Sequence, residues 1–157
     1  MAYLNNMKLG WIGFIYPAPP EITDPVEKLL WQAKRAHELG CTVLQPIAPL
    51  PKDDPEALKK VKDAITEYGI EYELHCPPAI FQLDGPDGEK VKEELKAEIA
   101  FCKEFGSKIM RTGYGRLCLK TSRYNRTPGE TGKDQYDHIV RCLKIAAPLF
   151  EEAGIYY

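Results

Sequence analysis

The chain has 157 residues, 44% of them hydrophobic and 28% charged, with a formal net charge of −2 at pH 7. That length carries one sizeable core, and the near-neutral balance removes the global basic field that nucleic acid or an anionic membrane would call for. No apolar run reaches transmembrane length, and the opening Met1-Ala2-Tyr3-Leu4-Asn5-Asn6 lacks a signal-peptide layout, so a cytoplasmic protein is expected. The five cysteines (Cys41, Cys76, Cys102, Cys118, Cys142) form no C-x-x-C pair and read as free thiols.

In chain order, the expected elements are strands at about 8–15, 41–46, 70–76 and 107–113, alternating with helices at about 24–39, 55–68, 88–105 and 132–153. Asp24-Pro25 and Asp54-Pro55 mark helix starts, a capping carboxylate before a proline whose missing N–H costs nothing at the first helical position. Within the second helix Leu58, Val61, Ile65 and Tyr68 fall on one stripe, while Lys59, Lys60 and Lys62 lie off it. A tripeptide closes each helix: Glu38-Leu39-Gly40, Glu67-Tyr68-Gly69, Glu104-Phe105-Gly106 and Glu152-Ala153-Gly154. Each glycine is followed at once by a β-prone run, the pattern of a parallel sheet with crossover helices.

The repeat glycines lie 29, 37 and 48 residues apart, a mean of 38, so eight units would need roughly 300 residues, the size of a (β/α)₈ barrel. The fold class expected is therefore α/β, the N-terminal half of a TIM barrel, about four and a half βα units in one domain over 1–157. The stub 155–157 reads as the start of a fifth strand. A complete five-stranded flavodoxin-like domain is the rival, but it would need a full fifth strand and a closing helix.

In such folds the site lies at the C-terminal ends of the strands. The candidates there are Phe14 and Tyr16 after strand one, where Gly13 allows close backbone approach, Gln45 after strand two, His75 after strand three, and Arg111 and Thr112 after strand four. Strand three alternates: Glu71, Glu73 and His75 on one face, Tyr72 and Leu74 on the other. The apolar face should pack under helices and turn the carboxylates inward, with Arg111 a partner for Glu73. His75 can donate to a hydroxyl or shuttle a proton as a neutral imidazole. His37 and His138 fall inside helices, remote from the strand tips, and are expected to have surface or packing roles.

The long connection 113–131 carries Arg116, Lys120, Arg123 and Arg126 against Glu130, with Tyr114 and Tyr124 among them, and suits a cover that contacts a sugar and an anionic group. Gly129 to Asp134 superficially suggests a phosphate loop, but the earlier glycine and the Ser/Thr that holds magnesium are missing.

Lys8-Leu9-Gly10-Trp11-Ile12-Gly13-Phe14, Ala36-His37-Glu38-Leu39-Gly40-Cys41 and Leu74-His75-Cys76-Pro77 resemble the xylose-isomerase-like barrels, over nearly the whole chain from Lys8 to Tyr157. That superfamily includes sugar phosphate isomerases/epimerases and apurinic-site endonucleases. The resemblance implies a sugar (phosphate) isomerase/epimerase of carbohydrate metabolism, acting by divalent-metal-assisted proton transfer. It implies a Mn²⁺, Mg²⁺, Co²⁺ or Zn²⁺ cofactor in the full-length protein, held by Glu, Asp, His and Glu from strands five to eight. No metal ligand is then expected in this chain, and the fragment alone is expected to be inactive. His75 carries over as the catalytic candidate, with Phe14, Tyr16, Gln45, Arg111, Thr112 and Tyr114 as substrate-binding candidates. The expected partners are a small-molecule sugar or sugar phosphate and further copies in a homo-oligomer, with no nucleic acid and no membrane. Two other readings stay open: a non-catalytic half-barrel module completed by another chain or copy, and a lyase or apurinic-site endonuclease of the same superfamily.

Overall fold

The computed structural model describes residues 8–13, 15–46, 48–75, 78–111 and 132–157; of His75, Pro78 and Ala79 only the backbone is described. Four strands alternate with four helices: β1 (Gly10–Ile12), α1 (Pro25–Glu38), β2 (Val43–Gln45), α2 (Pro55–Glu67), β3 (Glu71–His75), α3 (Gly88–Phe105), β4 (Ile109–Arg111) and α4 (Gly132–Ala153). A 3₁₀ turn at Pro78–Gln82 precedes α3. Helix limits agree with the expected ones to within a residue, while β1 and β2 are shorter at both ends and β3 and β4 start later than expected. The chain divides into two compact units, Met1–Glu73 and Leu74–Tyr157.

In the first unit β1, β2 and β3 pair in parallel, Gly10 beside Val43, Trp11 beside Leu44 and Ile12 beside Gln45, then Val43 beside Glu71 and Leu44 beside Tyr72. Side chains alternate across a strand, so this register aligns two rows. The row Trp11, Leu44, Tyr72 is buried, at 8%, 0% and 2% exposure, beneath the buried faces of α1 (Leu29, Ala33, Ala36) and α2 (Val61, Ile65). The opposite row, Ile12 with Gln45, is not buried. β3 keeps its alternation: Tyr72 and Leu74 are buried, Glu71 and Glu73 half-buried. Glu71 is paired with Lys8, a partner the sequence reading had not named. The starts of α1 and α2 are as expected, Asp24 and Asp54 accepting the N–H groups of Glu27 and Ala57 at 2.8 and 3.0 Å.

In the second unit, Val91, Leu95, Ile99, Cys102 and Phe105 make the buried stripe of α3, and Cys142, Ala146 and Phe150 that of α4. Ile80, Phe81 and Leu83, in and beside the 3₁₀ turn, add to this core. α3 begins at Gly88, where an added Cβ would stand 2.3 Å from the Leu83 carbonyl oxygen, so the first turn of the helix is pressed against the end of the 3₁₀ turn. Beyond α4, Tyr156 bridges to Ile109 in parallel, as the expected start of another strand does.

All four repeat glycines have positive φ, 73°, 64°, 91° and 69°, and an added Cβ would meet nothing within 4 Å at any of them. Their requirement is conformational rather than spatial. Each helix closes by the same two-bond motif. At α1, Gly40 N–H donates to His37 O and Cys41 N–H to Ala36 O. At α2, Gly69 donates to Thr66 and Ile70 to Ile65; α3 (Gly106 to Lys103, Ser107 to Cys102) and α4 (Gly154 to Glu151, Ile155 to Phe150) repeat it. His37 stacks on Tyr68 with ring centroids 5.0 Å apart, and its Nδ1 lies 3.2 Å from the Tyr68 carbonyl, the packing role expected of it.

Candidate functional site

Three polar candidates occupy equivalent places: Gln45, His75 and Arg111 are the last residues of β2, β3 and β4. Gln45 stands where β2 gives way to its loop, while His75 and Arg111 are the last described residues of their strands. Gln45 is half-buried, and its carbonyl accepts the Gly13 N–H at 2.8 Å, tying the end of β2 to the end of β1. Arg111 is exposed at the end of β4. His75 is placed by its backbone. Phe14, Thr112 and Tyr114 lie outside the described residues, as do the loop cations of 113–131.

After β1 the chain turns tightly, with the Ile15 and Tyr16 N–H groups both donating to the Ile12 carbonyl at 3.0 Å. Tyr16 is 58% exposed, its ring 5.0 Å from that of Trp11, which stands edge-on to Trp31 at 6.4 Å. An accessible aromatic face, that of Tyr16, therefore stands beside the β1 end. The close approach at Gly13 is made by a side chain of this protein: a Cβ there would lie 2.5 Å from Nε2 of Gln32 on α1. Gln32 is fully buried, and Nε2 donates to the Gly13 carbonyl at 3.5 Å.

Sequence reasoning missed Gln32, although a signal was present. It stands in the stripe Leu29, Gln32, Ala33, Ala36, where the helical period calls for an apolar residue. It also missed a cluster in the second unit. Arg141 Nε donates to Asp84 at 2.6 Å; His138 lies 3.7 Å from the same carboxylate, 2.8 Å from the Phe81 carbonyl and 3.7 Å from Cys142 Sγ. The Arg141 guanidinium holds the Asp84 carboxyl below the ordinary carboxylate range. Cys142 is fully buried and burial pushes its thiol up, and the contacts of His138 and Arg141 clamp α4 to the 3₁₀ turn and the residue beyond it. Burial likewise raises the Cys41 and Cys102 thiols.

Among the described residues no group of three His, Cys, Asp or Glu side chains could hold a metal ion. Among the same residues no helix is long and apolar enough to cross a membrane. A surface groove of about 630 Å³ lies between α1 and α2, lined by Glu21, Trp31, Lys34 and Tyr68 among others.

No curated protein matches the sequence. Among solved structures, D-psicose 3-epimerase from Clostridium cellulolyticum H10, determined with D-tagatose, superposes with a TM-score of 0.59 at 17% identity over 95% of this chain and 50% of that one. A D-psicose 3-epimerase determined in the presence of D-fructose gives 0.60 at 16% identity, again over 95% and 50%. The chain thus spans about half the length of these structural relatives, and the likeness is one of fold. The family model of the xylose isomerase-like TIM barrel matches residues 33–157. With four βα units in parallel order and that match over most of its length, the chain belongs to the xylose isomerase-like TIM barrel family.

Proposed function

We propose that this chain forms the strand-one-to-four side of the site of a sugar or sugar phosphate isomerase/epimerase. The observation that carries the reading is the placement of Gln45, His75 and Arg111 as the terminal residues of successive strands in a barrel family whose sites are built at those ends. Their chemistries are complementary. A Gln amide donates to and accepts from hydroxyls, a guanidinium pairs with an anionic oxygen, and an imidazole near neutral pH both gives and takes a proton. Tyr16 offers a ring face against which the apolar side of a sugar can rest. Phe14, Thr112 and Tyr114 complete the proposed contacts, with His75 as the proton-handling group.

The reaction class uses a divalent ion to polarise a carbonyl or hydroxyl. The resemblance implies that the ligands of such an ion come from strands five to eight. The residues of this chain bind and orient the sugar and handle a proton at His75.

Titrating D-fructose and D-tagatose into the 157-residue chain, with and without Mn²⁺, tests the reading. Weak binding that Arg111→Ala and Gln45→Ala diminish, without turnover, is the expected result. Absence of any sugar binding would refute the substrate class, and turnover by this chain with Mn²⁺ would refute the need for ligands beyond its own strands.

One observation favours a second reading, a half-barrel module completed by another chain or copy. Leu9, Ile12 and Ile15, on and beside β1, are 58%, 37% and 57% exposed, and among the described residues β1 pairs with β2 alone. A monomeric, soluble chain in sedimentation would count against it.

A further inference from the structure

The Gly13 peptide is held from two sides. Its N–H donates to the Gln45 carbonyl at 2.8 Å, and its carbonyl accepts from Gln32 Nε2 at 3.5 Å. The Gln32 amide lies flat against the Gly13 α-carbon, since an added Cβ would stand 2.5 Å from Nε2 and 2.9 Å from both Cδ and Oε1. Gly13 is absent from the positive-φ glycines, so it is a glycine for space, and the space is taken by this amide. Burying a polar side chain without need is costly, and Gln32 shares full burial with only one other polar residue, Ser107, among those described. Ser107 is spent on its own turn, bonding to both backbone groups of Ile109. Gln32 instead reaches across to a strand end nineteen residues earlier.

We infer that Gln32 is the positioning residue of the β1 end, setting the backbone at Gly13 and through it the turn that carries Tyr16. This rests on the reading of the strand ends as a sugar site. The geometry leads from one to the other: Gly13 starts the turn, the Ile15 and Tyr16 N–H groups close it on Ile12, and Ile12 stands in register with Gln45. An apolar residue at position 32 would fill the same volume and support the core, but it would leave the Gly13 carbonyl free to rotate away. The angle at which Tyr16 meets a ligand would then be unset.

Hydrogen–deuterium exchange on the 157-residue chain separates positioning from plain packing. Gln32→Met keeps volume and removes the amide; it should speed exchange at Gly13, Ile15 and Tyr16 about tenfold or more, while the amides of α1 change less than about twofold. Gly13→Ala should loosen the same three amides, and Gly13→Ala combined with Gln32→Ala, which makes room for the new methyl, should restore them in part. Unchanged exchange at 13–16 in Gln32→Met overturns the inference, as does equal acceleration along the whole of α1, the mark of a merely structural role. Should Gln32→Met fail to fold, Gln32→Asn and the Gly13→Ala pair decide by the same measurement. Where the wild-type chain binds D-fructose, Gln32→Met should weaken it about tenfold. A wild-type chain that binds no sugar would count against the proposed function alone, because the exchange experiment needs no ligand.

Discussion

At their C-terminal ends the four helices are copies of one another, whereas the four strands end in Ile12, Gln45, His75 and Arg111, which share no chemistry. Glycines at positive φ, each followed by a residue whose N–H returns to the last turn, close α1, α2, α3 and α4 alike. The pairs that accompany these bonds are buried every time: Ala36 with Cys41, Ile65 with Ile70, Cys102 with Ser107, Phe150 with Ile155. Repetition there serves one physical need, to stop a helix and turn the chain into a strand. At the other end the need differs from unit to unit. Variety at the strand ends beside uniformity at the helix stops is what the proposed function calls for, with stability assigned to one end of a parallel α/β scaffold and ligand contact to the other.

That division can be broken most sharply between two adjacent residues of β2. Leu44 is fully buried, and Leu44→Ala should destabilise the chain by about 3 kcal/mol in a urea titration. Gln45→Ala, one residue on, should leave the midpoint almost unchanged and reduce sugar affinity instead. Equal losses from the two would erase the distinction. Next in size come the glycines. Gly106→Ala, at φ 91° with open space around the new methyl, should cost about 1–2 kcal/mol purely from the left-handed backbone. The same change at Gly40 should match it, since the motif is the same; a large difference would mean the four turns are not equivalent.

Asp24→Ala and Asp54→Ala each remove a helix cap and should cost about 1 kcal/mol, read as a lowered melting temperature. Arg111→Ala, on an exposed strand end, should stay within about 0.5 kcal/mol in stability while weakening the binding of a phosphorylated sugar more than that of the free sugar. The smallest effect belongs to Asp84. Arg141 depresses its folded-state pKa, so the contact stabilises above the ordinary carboxylate range and is lost as pH falls through the lowered value. Asp84→Asn should melt slightly earlier than wild type at neutral pH, and the gap should close in acid.

Much of this was legible in the chain because its signals are local. A proline after an aspartate, a glycine after an amphipathic run and a two-residue alternation in β3 each depend on a few neighbouring residues, and helix limits followed to within a residue. β1 and β2 came out shorter than expected because parallel pairing needs a register between distant segments, and the β tendency of a run continues past the last paired residue. The position of Gln45 and Arg111, five residues past their glycines, was likewise countable. Gln32 and the Asp84–Arg141–His138 clamp were not found, since their partners lie nineteen and more than fifty residues away.

The sequence by itself determined the order of elements and the helix stops, both consequences of backbone preference and period. Only the tertiary structure decided that the space at Gly13 is filled by the amide of Gln32 and that Glu71 answers to Lys8. The reason is geometric: local preference sets how each segment folds, but which side chain fills a gap is fixed only when segments far apart in the chain are packed into contact.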